Sequence, residues 1–237
     1  MRRKKRFSSN KLVTVILVVL VAIVITGCAI GYYINANRME EISFEDEPLA
    51  GLTQKYFRDV NACIDYNIKY FGDGTTYAKD LSYEEKEQAV IDYAVRKGYD
   101  KIGIDELREL YLLLFNDGDT LKSSPYYETS SGYYVKDGDI YNLTAYSVCD
   151  AAEPPEMTCL VVDKAYKSNR TIKVTTGLYS GTAETGYLYS GLNWDEDNLI
   201  GAYNEVDPFE SNLAKWEIVY RYDDKLGHYF LDYTKKL

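Results

Sequence analysis

The feature that most constrains this chain is a run without a single charge. Leu12 to Ile34, LVTVILVVLVAIVITGCAIGYYI, holds no Asp, Glu, Lys, Arg or His over 23 positions. As a helix it would be roughly 34 Å long, enough for the ~30 Å hydrocarbon core of a bilayer. Tyr32 and Tyr33 stand at its far end, where an aromatic belt is expected. The eleven residues before it contain Arg2, Arg3, Lys4, Lys5, Arg6 and Lys11 and no acid. The positive-inside rule then places the N-terminus in the cytoplasm and everything after Ile34 outside.

Two other readings of the segment compete with a retained anchor. A cleaved secretory signal would have an apolar region of ~7–15 residues, and this one is longer. A lipoprotein signal is suggested by Ile25-Thr26-Gly27-Cys28, which resembles a bacterial lipobox and makes Cys28 a candidate for lipidation. Against it, Ala29 to Ile34 stays apolar where a polar tether would begin. All three readings put the body on the outer side. The favoured organisation is a basic head over 1–11, a transmembrane anchor over 12–34, a polar acidic tether over 35–47 and an extracytoplasmic domain over 48–237.

Charge follows the same division. The formal net charge is -10, but six of the 27 cations precede the anchor. The rest of the chain sets 21 cations against 37 acids, a balance of -16. Such a body is a poor match for phosphate backbones, so no nucleic-acid partner is expected. The expected partners are the lipid bilayer, through 12–34, and a protein or an envelope polymer, through the body.

The body reads as helices first and strands after. Leu52, Tyr56, Phe57, Val60, Cys63, Ile64, Ile68 and Phe71 recur at three-and-four spacing after Pro48, one face of a helix that Gly72-Asp73-Gly74 ends. Ser82 with Glu85 forms a capping-box pattern ahead of a second helix, Tyr83 to Lys97, with Gly98 as its stop. A third helix is predicted from Ile104 to Phe115. The period then changes to two. Strands are expected on either side of Asp137-Gly138 and of Ser168-Asn169, and a last hairpin over Trp216 to Thr234. The predicted fold class is α+β, with about three helices on a C-terminal antiparallel sheet, by analogy cystatin-like or NTF2-like. The helical part would span 48–118 and the sheet part 130–237.

Few residues point to chemistry. The lone His228 beside the last turn has no G-x-S-x-G or cysteine-protease signature to serve. No C-x-x-C pair exists, which removes zinc-ribbon and thioredoxin-type sites. Neither a catalytic set, nor a metal site, nor a cofactor is expected. Cys149 and Cys159 flank Pro154-Pro155 and are a candidate disulfide for an oxidising compartment; the alternative is two thiols at strand ends. Asn142-Leu-Thr and Asn169-Arg-Thr are glycosylation acceptors only in a eukaryotic secretory setting, and the head and lipobox-like Cys28 suggest a bacterium instead.

The most distinctive stretch is Gly177 to Gly201. Leu-Tyr-Ser-Gly occurs twice, at 178–181 and 188–191, among five glycines. Tyr179, Tyr187, Tyr189, Trp194, Asp195 and Asp197 make this the candidate ligand-contact loop. Aromatic faces on such loops stack on sugars or peptides; the alternative is a long bulged hairpin whose rings cover the sheet. Asp195-Glu196-Asp197-Asn198 offers oxygen ligands but lacks EF-hand spacing. Tyr itself is in excess, 25 of 237 residues, and is read mainly as a choice of strand propensity.

The basic head, the single anchor, the segment LSYEEKEQAVIDYAVRKGYDKIGIDELRELYLLLF and the ending WEIVYRYDDKLGHYFLDYTKKL resemble uncharacterised membrane-anchored and lipoprotein-like ectodomains of Gram-positive-type bacteria. That resemblance implies an envelope location and no catalytic residues. The expected role is a non-enzymatic extracytoplasmic domain that binds a protein or envelope component. A hydrolase using a carboxylate pair and a structural subunit of a membrane complex are the alternatives.

Overall fold

The computed structural model describes residues 9–57, 70–116, 126–129, 132–145, 156–182, 186–192, 194–202, 205, 207 and 211–237. The chain divides into two compact units, Met1–Glu40 and Glu41–Leu237.

The first unit is helix α1, Ser9–Ala36. Its stretch Ile16–Asn35 has a mean hydropathy of 2.5 and no buried residue, so it is long and apolar enough to cross a membrane. Consecutive residues Ile16, Leu17, Val18 and Val19 are all exposed, which means that the helix is apolar all round rather than on one stripe. Thr26 donates its hydroxyl to the Ala22 carbonyl at 2.8 Å, so its polar group is satisfied inside the helix.

The second unit is mixed helix and sheet around a large antiparallel sheet. Helix α2 covers Leu49–Phe57; the continuation predicted through Val60, Cys63, Ile64 and Ile68 lies outside the described residues. Helix α3, Tyr83–Arg96, begins where its capping box closes: Glu85 N–H donates to Ser82 Oγ at 3.2 Å and Ser82 N–H to Glu85 Oε2 at 2.7 Å. It ends at Gly98, whose φ of +77° lets the Tyr99 N–H return to the Ala94 carbonyl. Helix α4, Ile104–Phe115, buries Leu107, Leu110, Tyr111 and Leu114, the face that its three-and-four spacing defines.

Strand β1 is the pair Glu40–Glu41 at the junction of the units. In the large sheet β7 (Glu156–Lys167), β8 (Thr171–Thr182), β11 (Ala214–Asp223), β12 (His228–Lys236) and β2 (Thr75–Tyr77) lie side by side in that order. Strand β9 (Tyr187–Ser190) extends the far end of β8, and β10 (Leu199–Ala202) pairs with β9. Register puts Trp216 opposite Thr176, Ile218 opposite Val174 and Tyr220 opposite Ile172, all buried on one face. Glu217 and Arg221 are more exposed than Trp216, Ile218 and Tyr220, while Val219 is buried on the reverse face, so this part of β11 is covered on both sides.

Helices and strands are not segregated as the sequence suggested. The Asp137-Gly138 hairpin, β5 (Gly132–Asp137) with β6 (Ile140–Ala145), belongs to a separate four-stranded sheet in the order β3-β6-β5-β4. Its β4 is Tyr126–Thr129, and its β3 is Lys101–Gly103, inserted between α3 and α4. Strand β2 likewise precedes α3 and reaches across to β12. Both insertions are three residues long, too short for any periodicity to register.

Tyrosine builds the core. Tyr56, Tyr70, Tyr111, Tyr134, Tyr141 and Tyr220 are among the largest fully buried side chains. Tyr56 from α2 shows how a buried phenol is accommodated. Its ring lies 5.9 Å from Tyr220, and its hydroxyl donates to the Leu114 carbonyl at 2.6 Å while accepting the Leu231 N–H at 3.0 Å. The Leu114 carbonyl is one of those left open by the last turn of α4, and Lys55 takes the neighbouring Leu113 carbonyl with its ammonium. One side chain thus fills volume, closes a helix end and fastens it to β12. Among the tyrosines of the strands, Tyr134 and Tyr141 pack edge-to-face 5.1 Å apart inside the small sheet's core face.

Candidate functional site

The candidate loop lies where β9 pairs with β8 and with β10. Two glycines let the chain fold back there. A Cβ on Gly181 would stand 2.5 Å from the Tyr187 carbonyl, and one on Gly177 2.8 Å from the Leu213 side chain. Neither position admits a larger residue without a shift of backbone or neighbour. Across the resulting ladder Tyr189 stands opposite both Ser180 and Leu199, with Leu188 opposite Gly181 and Gly201. Leu188 is buried, and Tyr187 and Tyr189, one residue to either side, occupy the other face.

Trp194 is fixed on that face by two contacts. Its ring stacks on Tyr189 with centroids 6.2 Å apart and planes 18° from parallel. Its Nε1 donates to Ser180 Oγ at 2.8 Å, and the same hydroxyl donates to the Gly191 carbonyl at 2.7 Å. Ser180 is buried, so the indole is held by a shielded relay rather than by a mobile surface partner. Trp194 nevertheless remains 41% exposed. Tyr189 lies in offset contact with the ring and its N–H is engaged.

Beyond Trp194 a short 3-10 turn, Glu196–Asn198, returns the chain to β10. Asp195 caps it, its Oδ1 accepting the Asn198 backbone N–H at 3.0 Å and also the Asn198 amide. The carboxylate that the sequence offered as a cation ligand is therefore occupied in holding the turn. Glu196 and Asp197 are exposed. Among the described residues no group of three or more His, Cys, Asp or Glu could hold a metal ion.

The same loop walls a cleft of about 140 Å³. Ser190, Gly191, Leu192 and Asn198 form one side, and Asp73 and Lys236 the other, over a floor of Trp216 and Phe71. The floor rings meet edge-to-face at 6.0 Å, with Trp216 Nε1 donating to the Gly72 carbonyl at 3.3 Å. Lys236 Nζ lies over the Trp216 ring at 5.6 Å and donates to Asp73 Oδ1 at 2.8 Å. That hydrogen bond and the lysine charge lower the Asp73 carboxyl below its ordinary value. Gly191, at φ +82°, keeps the wall thin: a Cβ there would come within 3.5 Å of Trp216 and Ala214.

The structure sorts the six residues expected to touch a ligand. It joins Tyr189, Trp194 and the Asp195 cap into one unit and leaves Tyr187 and Asp197 exposed beside it. Tyr179 is placed apart from them. It stands opposite Ser190, out of phase with Tyr189, and so lies on the reverse face of the ladder. Of the cysteines, Cys28 is exposed on α1 and Cys159 is buried on β7; Cys149 lies outside the described residues, and so does any pairing with it. Ser180 and the Asp73–Lys236 pair carried no local signal. The last two are 163 positions apart, and only the fold of β12 beside β2 brings them together.

Comparisons with protein-family models, with curated proteins and with solved structures gave no match.

Proposed function

We propose that this chain is a single-pass membrane protein of bacterial type, with a cytoplasmic N-terminus and an acidic extracytoplasmic body that binds a partner rather than performing a reaction. Contact is made by the exposed face of the β9–β10 hairpin. The observation that carries this reading is Trp194. It is a large aromatic side chain, stacked and hydrogen-bonded into one pose yet 41% exposed, and Trp with a satisfied N–H and accessible ring is a residue type enriched at interfaces. The uncharged run 12–34 of α1 and the six cations ahead of that run support the orientation. The finer architectural reading, a cystatin-like or NTF2-like wrap of sheet around helix, belongs to the same proposal and bears no functional weight. A carboxylate-pair hydrolase is less well supported, because Asp73 is the one carboxylate among the described residues of the cleft and it is engaged by Lys236.

Two measurements test the reading. External protease added to intact cells should digest the body while the anchor stays in the membrane. Protection until lysis overturns the topology. The full-length chain, crosslinked in its own membrane, should form adducts that diminish in the Trp194→Ala protein; an unchanged adduct pattern removes the hairpin from the interface.

A further inference from the structure

We infer that the partner of this hairpin is a protein segment that presents Lys or Arg beside apolar side chains; the inference rests on the binding role proposed above. Its first ground is a continuous face. Tyr189 pairs with Leu199 across the ladder, and Tyr187 lies two positions before Tyr189, on the same side of β9. Trp194 stacks on Tyr189 and joins them. Tyr187, Trp194 and Leu199 are all exposed. An exposed apolar patch with a polar rim marks a surface that meets another protein, and Trp and Tyr are the side chains that anchor such contacts.

The second ground is charge, which selects the kind of protein. From Val174 to Ala214 the chain holds seven acids and no Lys, Arg or His over 41 positions. Asp195, Glu196 and Asp197 stand before β10 and Glu205 after it, all exposed. Among the described residues none of these four has a Lys or Arg partner. On the neighbouring strands carboxylates are matched: Asp163 by Lys215 at 2.7 Å and Glu217 by Lys173 at 3.4 Å. Unmatched carboxylates round an aromatic face attract a cationic partner and repel an anionic one.

The same kind of contact occurs twice within the chain. Lys236 Nζ lies over the Trp216 ring at 5.6 Å and 2.8 Å from Asp73 Oδ1. The Arg96 guanidinium lies over the Tyr93 ring at 5.8 Å, with its Nε 3.0 Å from Asp92 Oδ2. Each instance joins an aromatic ring, a carboxylate and a cation. The hairpin supplies the first two, and its own segment lacks the third. A small polyamine would use the carboxylates and leave Leu199 and Tyr187 uncovered, whereas a protein segment with apolar side chains beside its cations covers both.

The test uses the full chain in a zwitterionic detergent. The probe is a fluorescein-labelled peptide of repeated Arg-Leu-Gly, compared with repeats of Arg-Ser-Gly and of Glu-Leu-Gly, and anisotropy is the readout. The Arg-Leu-Gly peptide should bind saturably, more weakly as salt rises, and the other two should bind at least about tenfold more weakly. Trp194→Ala should weaken binding about tenfold or more, and so should Glu196→Gln combined with Asp197→Asn. Asp100→Asn combined with Glu109→Gln removes two exposed acids away from the hairpin and should change affinity by less than about twofold. Equal weakening by that second pair reduces the attraction to net charge and overturns the inference. Binding unaltered in Trp194→Ala, equal affinity for the Arg-Ser-Gly peptide, or absence of saturable binding overturns it as well. The Glu196 and Asp197 changes are at exposed positions, so they decide the matter even where Trp194→Ala fails to fold. In the membrane, adducts lost in Trp194→Ala but kept in the Glu196→Gln, Asp197→Asn protein sink this inference and leave the binding role standing.

Discussion

The two tryptophans of the body solve the same local problem and end in opposite places. Trp216 donates its indole N–H to a backbone carbonyl and meets Phe71 edge-to-face; Trp194 donates to a buried hydroxyl and stacks on Tyr189. Both therefore have a satisfied polar atom and an aromatic neighbour. Trp216 is 2% exposed, with Phe71, Lys236 and Gly191 packed round it, whereas Trp194 is 41% exposed. The difference teaches that fixed geometry alone does not mark a contact residue. What distinguishes Trp194 is that its geometry is fixed while its surface is unspent.

The largest effect should come from the buried member. Trp216→Ala removes the floor of the cleft and a junction between β11 and the residues before β2, and should cost roughly 3–5 kcal/mol in denaturant unfolding. A cost near that of Trp194→Ala would erase the distinction drawn here.

The buried layer should also carry a pH signature. Lys55 is buried against the Tyr56 ring, and desolvation lowers its ammonium from 10.5 to about 7. Below about pH 7 folded and unfolded chains both hold the proton, so this group gives no slope. Between there and 10.5 the unfolded chain alone holds it, and stability rises with pH. The gain would be on the order of 4 kcal/mol between pH 7 and 10. Burial raises the Tyr56 and Tyr220 hydroxyls, which reverses the slope only above the ordinary tyrosine range. Lys55→Met should flatten the rise, read as unfolding midpoints across that range. A slope that survives the substitution assigns it to another group.

Tyr56→Phe sharpens the comparison on the polar side. It keeps the ring on Tyr220 but leaves the Leu114 carbonyl and the Leu231 N–H without their partner in a dry interior. The expected loss is about 1–3 kcal/mol, with amide exchange at Leu231 accelerated. An effect within error would mean that the phenol serves as volume alone.

How much of this was legible in the sequence follows from range. The apolar run at 12–34, the Ser82–Glu85 box and the Gly98 stop are signals within a few residues of themselves, and α1 and α3 appear where those signals stand. The long β11–β12 hairpin was equally readable, since Trp216, Ile218, Tyr220 and Tyr222 repeat the message at every second position. Strands β2 and β3 were not, being three residues each and defined by partners far along the chain. The Tyr excess was visible, and part of it is strand residues as read: Tyr134, Tyr141, Tyr220 and Tyr229 lie buried on strands; what propensity did not show is the core role of the helix tyrosines Tyr56 and Tyr111. For the site, the aromatic residues and the glycines were visible, but not which ladder face each would take. Tyr179 and Tyr189 look alike in their repeated Leu-Tyr-Ser-Gly setting, and pairing Tyr179 with Ser190 separates them.

The smallest expected effect on stability belongs to Trp194→Ala. The substitution removes the stack and frees the Ser180 hydroxyl, but that hydroxyl keeps its bond to the Gly191 carbonyl, and Tyr189 keeps its cross-strand place beside Leu199. A ring that is 41% exposed returns less to the core than a buried one when it is cut away, so the loss should be about 1–2 kcal/mol, below that of Trp216→Ala. Ser180→Ala separates anchoring from display: it leaves the indole in place without its hydrogen bond and should loosen its pose, seen as increased quenching of the exposed tryptophan by acrylamide. If Trp194→Ala unfolds the body instead, the indole is a structural cap on the end of the sheet, and its exposure is incidental to packing.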